Sequence, residues 1–493
     1  MPRWIFLGVF WTAPGAFAQQ VEVIEDDAAS APVSAPTAAV LPAAQVGGRL
    51  HQRAQVDSSF DSGTGEDIVE TRTRLDLHAE APMTERLSAR LAARLDHRLH
   101  FAEQGGNPRG AAEPRLLDAY LDADLGRLDL RVGQQVVAWG RVDVFPTADF
   151  LNPPDLTDGM ATDFEAAVVP VPAVRADFTA TDWLSLAAVY EPFFVPARVA
   201  LFGTDFALIG PGAPASARAA VSRLRGLVDA SVLEDVQDDL LATQVPDEWF
   251  VNGQVGGRVE ARGPEGAVAA AVFQGYEKVP TIRADPLLRE YLADPTDVVT
   301  ALDLFARVSA GDTVYRSRYR RMTVLALDGE MPAGPFLLRF DLGWTPARTL
   351  YAVDDGACAL PCALRAGVVQ GAFQAEYSES DRWWATVEIV ALHATRGPSV
   401  GALALFGDTR TLTAAVAGLR RSLLDGDLEI SAFSLATWAP ASVIATGGAT
   451  VRIVEGLRLE GGGLLYEGFG DDESPGALYD PNDAAYGGVR YDF

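Results

Sequence analysis

Hydrophobic and polar residues alternate with a period of two along most of the chain. In residues 69–81, VETRTRLDLHAEA, one set of alternate positions reads Val, Thr, Thr, Leu, Leu, Ala, Ala, and the other reads Glu, Arg, Arg, Asp, His, Glu. Successive side chains of a β-strand point to opposite faces of a sheet, so this segment has an apolar face and a charged face. The alternation predicts an amphipathic strand.

The same pattern recurs from about residue 45 to Phe493. Segments that show it include residues 87–99, 117–124, 128–136, 336–344 and 387–391. We count about eighteen such segments of roughly 10 to 15 residues, which is the length range of tilted membrane-crossing strands. The apolar face would meet lipid and the charged face a water-filled interior.

Short and long links alternate between the predicted strands. The short links are Gly126-Arg127, Thr181-Asp182, 263–266, 378–381, 425–427 and Glu455-Gly456, and the long links are 55–67, 101–113, 140–168, 192–251, 278–311, 346–363, 396–407 and 469–484. Outer-membrane barrels combine short periplasmic turns with longer outer loops. We therefore expect an all-β fold, a transmembrane antiparallel up-and-down β-barrel of about 18 strands (16 to 18), over residues 45–493. A soluble β-sandwich is the alternative, but a closed barrel removes the exposed edges of so many strands.

Residues 430–451 test a helical membrane protein, because they carry no charge and could span a bilayer as a helix. They contain Pro440 and the pair Gly447-Gly448, and residues 438–442 (WAPAS) have the composition of a turn. Two strands are the better interpretation.

The N-terminal residues differ from the rest of the chain. Residues 1–18 combine Arg3, a short apolar stretch and the small-residue pattern Ala16-Phe17-Ala18, which is typical of a secretory signal peptide. Residues 19–44 are rich in Ala, Pro and Ser, which predicts a flexible periplasmic linker. The expected location is the cell outer membrane of a Gram-negative bacterium.

Composition disfavours several classes of function. The 40 basic and 67 acidic residues give a net charge of −27, which argues against a nucleic-acid partner. The two cysteines, Cys358 and Cys362, are expected to form a disulfide, since no histidine lies nearby to complete a metal site. The five histidines form no HExxH motif and the chain has no GxSxG, so we expect no catalytic site, metal or cofactor, and a lipase-type enzyme is the least favoured alternative.

Arginines recur on the charged faces. The candidate lumen and selectivity residues are Arg72, Arg74, Arg90, Arg94, Arg98, Arg131, Gln135, Arg316, Arg318, Arg320 and Arg339. Guanidinium groups bind carboxylates and phosphates in a bidentate manner, and rings of charge set pore selectivity. The alternative is that these arginines pair across strands with Glu70, Asp76, Glu80, Asp96, Asp129 and Asp341 and only stabilise the wall. Arg316, Arg318 and Arg320 are favoured as an unpaired ladder, because no acidic residue alternates with them.

Some long loops have patterns of their own. Within the loop 192–251, residues 214–243 have apolar residues at helical spacing, so we expect a helix that either plugs the lumen or rests on the outer rim. Residues 286–306 are a second helix candidate. The acidic loop 470–483 could hold Ca²⁺, although solvated loop charge is the better interpretation.

Residues 130–156 resemble a family of proteobacterial outer-membrane proteins with an Arg-x-Gly-Arg-Gln strand, a Trp-Gly at its end and an Asn-Pro-x-Asp loop. The matching residues are Arg131, Gly133, Gln135, Trp139, Gly140, Asn152, Pro153 and Asp155, while Gln134 departs from the motif's arginine. A similar strand occurs in alginate-export-type porins. The resemblance implies a barrel that moves hydrophobic, lipid-like or acidic-polymer cargo. From the residues themselves, Trp139 is expected near the outer rim, and Arg131 and Gln135 as hydrogen-bond donors to a loop folded into the pore.

The last strand resembles the C-terminal signal of bacterial outer-membrane barrels. Val489, Tyr491 and Phe493 lie on one predicted face, and the resemblance implies recognition by the barrel-assembly machinery.

The predicted function is passage of small anionic or amphipathic, lipid-like molecules through an arginine-lined lumen. The alternative is a closed barrel that serves as the outer-membrane component of a periplasmic lipid-transport system. Expected partners are outer-membrane lipid, the assembly machinery, the cargo and, in the alternative, a periplasmic transport partner.

Overall fold

The structure is a computed structural model of the chain. It describes residues 44–57, 67–102, 109–157, 168–199, 252–294, 296–310, 312, 315–353, 362–379, 382–395, 402–403, 410–438, 441–469 and 474–493.

Strands dominate the described part of the chain. In order, they are β1 (Gln45–Asp57), β2 (Asp67–Thr84), β3 (Leu87–Ala102), β4 (Arg109–Asp124), β5 (Leu128–Gln135), β6 (Val171–Thr181), β7 (Leu184–Glu191), β8 (Gln254–Gly263), β9 (Gly266–Tyr276), β10 (Thr281–Ala284), β11 (Tyr315–Arg318), β12 (Arg321–Ala333), β13 (Phe336–Val353), β14 (Cys362–Glu379), β15 (Trp383–Ala394), β16 (Ala402–Leu403), β17 (Thr411–Leu423), β18 (Leu428–Trp438), β19 (Ala441–Val454), β20 (Leu457–Gly468) and β21 (Ala484–Asp492).

All strands except β10, β11 and β16 form a closed barrel of 18 antiparallel strands. Each strand pairs with the next along the chain, β9 pairs with β12 and β15 with β17, and β1 pairs with β21 to close the ring. At the seam, Gly48 and Phe493 exchange two backbone hydrogen bonds of 2.9 Å. The predicted up-and-down barrel is confirmed.

Short turns connect alternate strand pairs at one end of the barrel. They follow β2, β4, β6, β8, β12, β14, β17 and β19. The first residue of β1 and the last residue of β21 lie at this same end. The short-turn end therefore matches the periplasmic end that the link lengths predicted. Residues 430–451 form parts of β18 and β19, as expected, and not a helix.

The outer face of the barrel is apolar where the sequence predicted it. Leu77, Leu91 and Leu95 are each between 45% and 53% exposed, whereas the neighbouring inward Arg74 is 7% exposed. A soluble protein would bury these leucines in a packed interior. The exposed apolar band and the buried charges are the arrangement of a membrane-spanning barrel.

The inner face is not charged all the way round, which corrects the expectation of a uniformly polar lumen. On β15 and β17 to β20, the inward positions toward the long-loop end are apolar and buried: Leu392, Val416, Leu435, Ile444 and Leu464. Outward positions on β17, such as Ala415 and Ala417, are small. Toward the long-loop end, both faces of these strands are therefore apolar, which explains why residues 430–451 carry no charge.

Two helices lie between β10 and β11, and one lies near the C-terminus. They are α1 (Pro286–Ala293), α2 (Val298–Ser309) and α3 (Pro475–Tyr479). The Asp285 and Asp297 side chains accept hydrogen bonds from the N–H groups of Leu287 and Val299, which caps α1 and α2. The helix predicted at 286–306 is confirmed as this pair. Among the described residues, no helix is both long and apolar enough to cross a membrane.

Candidate functional site

The connection between β5 and β6 folds into the barrel. Residues 136–157, here called the inner segment, include a run from Val142 to Asp155 in which every residue is buried. Loops normally lie on the protein surface, because buried backbone groups need hydrogen-bond partners. The barrel wall supplies those partners.

Two carboxylates on the far side of the barrel hold the inner segment. Glu388 on β15 accepts hydrogen bonds from the N–H groups of Val144 and Phe145, at 3.2 and 3.0 Å. Asp341 on β13 accepts one from the N–H of Arg141 at 2.8 Å. Both carboxylates have no exposed surface. The segment leaves β5 and reaches β15, so it crosses most of the lumen.

The Arg141 side chain binds a second group of acids on the wall. Its Nη2 lies 2.7 Å from Glu260 on β8, and its Nη1 lies 2.6 Å from Glu330 on β12. Asp328, between them, is bound bidentately by Arg258 at 2.5 and 2.7 Å. Burial of unpaired charge is costly, so this network fixes the segment against β8 and β12.

Trp139 lies in the barrel interior, so its predicted place near the outer rim is wrong. It is 4% exposed and belongs to a buried apolar cluster with Val137, Leu151 and Phe273. Its ring occupies the space that a side chain at Gly256 on β8 would need. An aromatic ring therefore replaces water between the inner segment and the wall.

Asn152 and Asp149 shape the inner segment internally. Asn152 donates to the carbonyl of Val137 at 2.8 Å and accepts from the N–H of Val137 at 3.1 Å, so this side chain joins the two ends of the segment's first loop. The Asp149 carboxyl accepts from the N–H of Leu151 at 3.1 Å. Burial raises the pKa of Asp149 to about 7, although this hydrogen bond acts in the opposite direction.

All six predicted arginines on β2 to β5 are ion-paired with acids. Arg72 donates to Asp96 at 2.8 Å through Nε, and Arg74 and Arg98 lie 3.6 and 3.8 Å from the same carboxylate. Further pairs are Arg94 with Asp76 at 2.5 Å, Arg90 with Asp118 at 3.1 Å and Arg131 with Asp122 at 3.0 Å. The cross-strand pairing that was the alternative interpretation is thus present.

Arg339 and Gln135 contact parts of the chain that the sequence did not suggest. Arg339 Nη1 lies 2.8 Å from Asp143 of the inner segment and 2.7 Å from Glu376. Gln135 is fully buried and donates to the carbonyl of Ala173 on β6 at 3.0 Å, so it joins the wall and not a loop in the pore. Gly133 has φ +139°, and a side chain there would meet the carbonyl of Ala119, so backbone conformation requires glycine.

The favoured ladder of Arg316, Arg318 and Arg320 is not on the barrel wall, and this part of the prediction is wrong. Arg316 and Arg318 belong to β11, which pairs only with β10 in a separate two-stranded sheet within the described chain. Arg320 follows β11, and its carbonyl accepts from the N–H of Glu277.

Two cavities lined by described residues lie beside the inner segment, on the side of β3 to β8. The first, toward the short-turn end, has a volume of about 660 Å³ and includes Trp139, Arg141, Arg258 and Glu260 in its lining. The second, toward the long-loop end, has a volume of about 540 Å³. Its charged lining consists of Arg90, Arg94, Arg115, Arg131, Arg175 and Arg198, with Asp118 and Asp155.

Another ion-pair network lies at the second cavity. Arg115 lies 2.7 Å from Asp155 of the inner segment and 2.8 Å from Glu113 on its own strand. Arg198, which follows β7, pairs with both Glu113 and Asp155. The network ties the end of the inner segment to β4 and to residues 191–199.

The family model described as "Protein of unknown function (DUF1302)" matches residues 26–283, slightly more than half of the chain. The chain belongs to this family. The matched part of this DUF1302 protein includes β1 to β9 and the whole inner segment. No curated protein matches the sequence.

The DUF1302 chain is also similar to solved bacterial barrels. These include OmpF of Salmonella typhi in a complex with daunomycin (12% identity, 91% of this chain and 97% of that chain, TM-score 0.40) and the outer membrane channel DcaP of Acinetobacter baumannii (11%, 91% and 97%, TM-score 0.41). A mutant of the Rh. blastica porin has 12% identity over 91% of this chain and all of the porin, with a TM-score of 0.35. Similarity at this level carries no information about cargo.

Some of the predictions concern residues outside the described part of the chain. Cys358, the helix candidate 214–243 and residues 470–473 of the acidic loop all lie there, so the disulfide, the plug or lid and the full acidic cluster stay predictions. Among the described residues, no group of three His, Cys, Asp or Glu side chains could hold a metal. Val489, Tyr491 and Phe493 are exposed on the outer face of β21, with the Tyr491 and Phe493 rings stacked at 5.9 Å. Their recognition by the assembly machinery stays a prediction.

The residues that sequence reasoning missed are those that join the inner segment to the wall. They are Arg141, Asp143, Arg258, Asp328, Gln370, Gln374 and Glu388. One signal was available: Glu388 is a charged residue among the inward, uncharged Thr386, Val390 and Leu392 of β15. A lone polar group in such a place needs a partner.

Proposed function

We propose that this protein is an outer-membrane channel that passes small anionic or amphipathic molecules along one side of its lumen. The observation that carries the proposal is the cavity of about 540 Å³, whose lining has six arginines and two acidic residues. Low-dielectric walls around charges of one sign concentrate an oppositely charged solute. Each of these arginines is paired with an acid, but most of those acids lie outside the lining, so the surface that a solute meets has an arginine excess, which favours anions over cations.

Apolar lining supports an amphipathic cargo. Val136, Val169 and Pro170 line the same cavity as the arginines. Binding sites for small molecules combine apolar walls with a few charged groups that fix orientation. A molecule with one anionic group and an apolar body fits this division better than a fully hydrated sugar or a cation.

Ion selectivity in planar bilayers tests the proposal. In a KCl gradient, we expect a reversal potential that reports anion preference, and a decrease of that preference in the double variant Arg115→Gln, Arg198→Gln. The matched control is Arg452→Gln, since Arg452 pairs with Asp427 at a short turn and lines neither cavity. Cation selectivity of the unmodified protein would contradict the proposal.

The closed barrel of a periplasmic lipid-transport system is a second candidate. The burial of the inner segment across the lumen favours it, as does the apolar inner wall of β15 and β17 to β20. This candidate predicts no unitary conductance for the unmodified protein, but transfer of a fluorescent lipid from a donor vesicle to the purified barrel. Anion conductance without lipid transfer would support the channel instead.

A further inference from the structure

Two arginines face each other where the two cavities meet. Arg131 on β5 and Arg175 on β6 are direct partners in the strand register. Like charges at directly opposed positions destabilise a sheet unless something lies between them. We propose that Arg131 and Arg175 together form a binding site for the carboxylate of a small amphipathic molecule. The inference rests on the transport function proposed above and specifies where its cargo binds.

Each guanidinium is oriented by an acid of its own. Arg131 uses Nε and Nη2 to contact Asp122, at 3.0 and 2.5 Å, and its Cζ lies 4.3 Å from the ring centroid of Tyr120. Arg175 uses Nε and Nη2 to contact Asp177, at 2.6 and 3.0 Å. These pairs fix the planes of both side chains on the same inner surface.

Part of each guanidinium is still available. Within the described part of the chain, neither Nη1 donates a hydrogen bond, and the two side chains are 32% and 29% exposed. A carboxylate has two oxygens with the spacing that guanidinium donors accept. One carboxylate between Arg131 and Arg175 would accept from both Nη1 groups, while Asp122 and Asp177 keep their own contacts.

The position of the pair makes it a passage point. Arg131, Ala138 and Arg175 line both cavities, so a solute that moves between them on this side of the inner segment passes both guanidiniums. Pro170 lines the cavity toward the long-loop end, and Trp139 lines the cavity toward the short-turn end. The structure therefore assigns a monocarboxylate with a compact apolar body, and not an inorganic anion, as the preferred ligand.

Binding of benzoate to the full-length barrel in nanodiscs tests the site without requiring conductance. We expect saturable binding by isothermal titration calorimetry, weaker by about tenfold or more in Arg131→Gln and in Arg175→Gln, because a hydrogen bond to a charged group is lost in each. Arg420→Gln is the matched control, since Arg420 faces the lumen from β17 and lines neither cavity. Heat-modifiable gel migration verifies that each variant is folded.

The lysine variants keep the test valid if a glutamine variant does not fold. Arg131→Lys and Arg175→Lys retain the charge but lose the planar donor pair, so benzoate affinity is expected to fall while chloride conductance is retained. Benzoate binding with no conductance would support the site and contradict the channel. Anion conductance with benzoate affinity unchanged in folded Arg131→Gln and Arg175→Gln, or no benzoate binding by the unmodified protein, would overturn the site and leave the channel in place.

Discussion

The backbone N–H of Arg141 donates a hydrogen bond of 2.8 Å to Asp341, a residue 200 positions further along the chain. Arg141 follows β5, which lies on one side of the barrel, and Asp341 faces the lumen from β13 on the other side. The contact shows that the wall holds the inner segment by accepting hydrogen bonds from its backbone. The width of any passage then depends on how firmly these acceptors hold it.

Removal of one acceptor is expected to widen the passage. In Glu388→Ala, the N–H groups of Val144 and Phe145 lose their partner, and each unsatisfied buried group costs about 1–3 kcal/mol. The inner segment should leave β15, so single-channel conductance in planar bilayers should rise. Glu388→Gln keeps one acceptor oxygen and should have a smaller effect. Equal conductance of the unmodified protein and a folded Glu388→Ala variant would contradict this role.

Gly140 is expected to tolerate no side chain, because a Cβ there would collide with Asp341. The effect of this contact can be separated from that of backbone strain. The φ of Gly140 is +97°, and a Cβ there would lie 2.5 Å from Oδ2 of Asp341. Gly126 has φ +88° at a short turn, and a Cβ at this glycine would have no atom within 4 Å. Alanine at either site costs about 1–3 kcal/mol of strain, and only Gly140→Ala also displaces Asp341.

Two measurements distinguish Gly140→Ala from Gly126→Ala: the free energy of unfolding and the current noise of the open channel. We expect Gly140→Ala to lose more stability than Gly126→Ala and to produce a noisier channel, because the inner segment is displaced from β13. Equal losses in the two variants would show that the contact with Asp341 is unimportant.

Asp149 is expected to make stability depend on pH. Because burial raises its pKa from the usual value near 3.8 to about 7, the folded protein keeps a proton that the unfolded chain has lost between these pH values. The free energy of unfolding should therefore fall as pH rises from about 4 to 7, by at most about 4 kcal/mol at 1.36 kcal/mol per pKa unit. Above pH 7 the loss is complete.

Chemical unfolding of the unmodified protein and Asp149→Asn at several pH values isolates this contribution from that of other acids. The free energy of unfolding of the unmodified protein, relative to that of Asp149→Asn, should fall between pH 4 and 7 and stay constant above pH 7. A difference that is independent of pH across this range would contradict the assignment.

The strands were predictable because adjacent side chains of a barrel strand face different environments, lipid on one side and the lumen on the other. Arg94 and Leu95 point to opposite faces of β3, and one is paired with Asp76 inside while the other is 45% exposed outside. Such alternation is local, so a single sequence is enough to detect it. Most links were predictable too, because short turns and longer loops occupy opposite ends of an outer-membrane barrel. The link between β18 and β19 is an exception, since only residues 439 and 440 separate these strands at the long-loop end.

The inner segment was not predictable because its partners are distant in sequence. Trp139 was expected at the rim, where aromatic residues of barrels commonly lie, but the glycine that receives its ring is Gly256, more than a hundred residues later. Arg316 and Arg318 alternate like wall residues, yet β11 has only four residues and pairs with β10. A period of two identifies a strand and does not identify its partner.

The depth of a charge in the lipid-facing surface provides a last test of the barrel. Leu95 lies near the middle of β3, whereas Met83 lies one residue before the end of β2 at the short-turn side, and both are exposed on the outer face. Arginine at the bilayer midplane of a barrel costs about 2–4 kcal/mol and near the interface about 0–1 kcal/mol. In liposomes, Leu95→Arg should therefore lose several times more free energy of unfolding than Met83→Arg, measured by guanidinium titration. Similar losses at the two positions would mean that no hydrocarbon layer surrounds this wall, because water would solvate an arginine equally well at both depths.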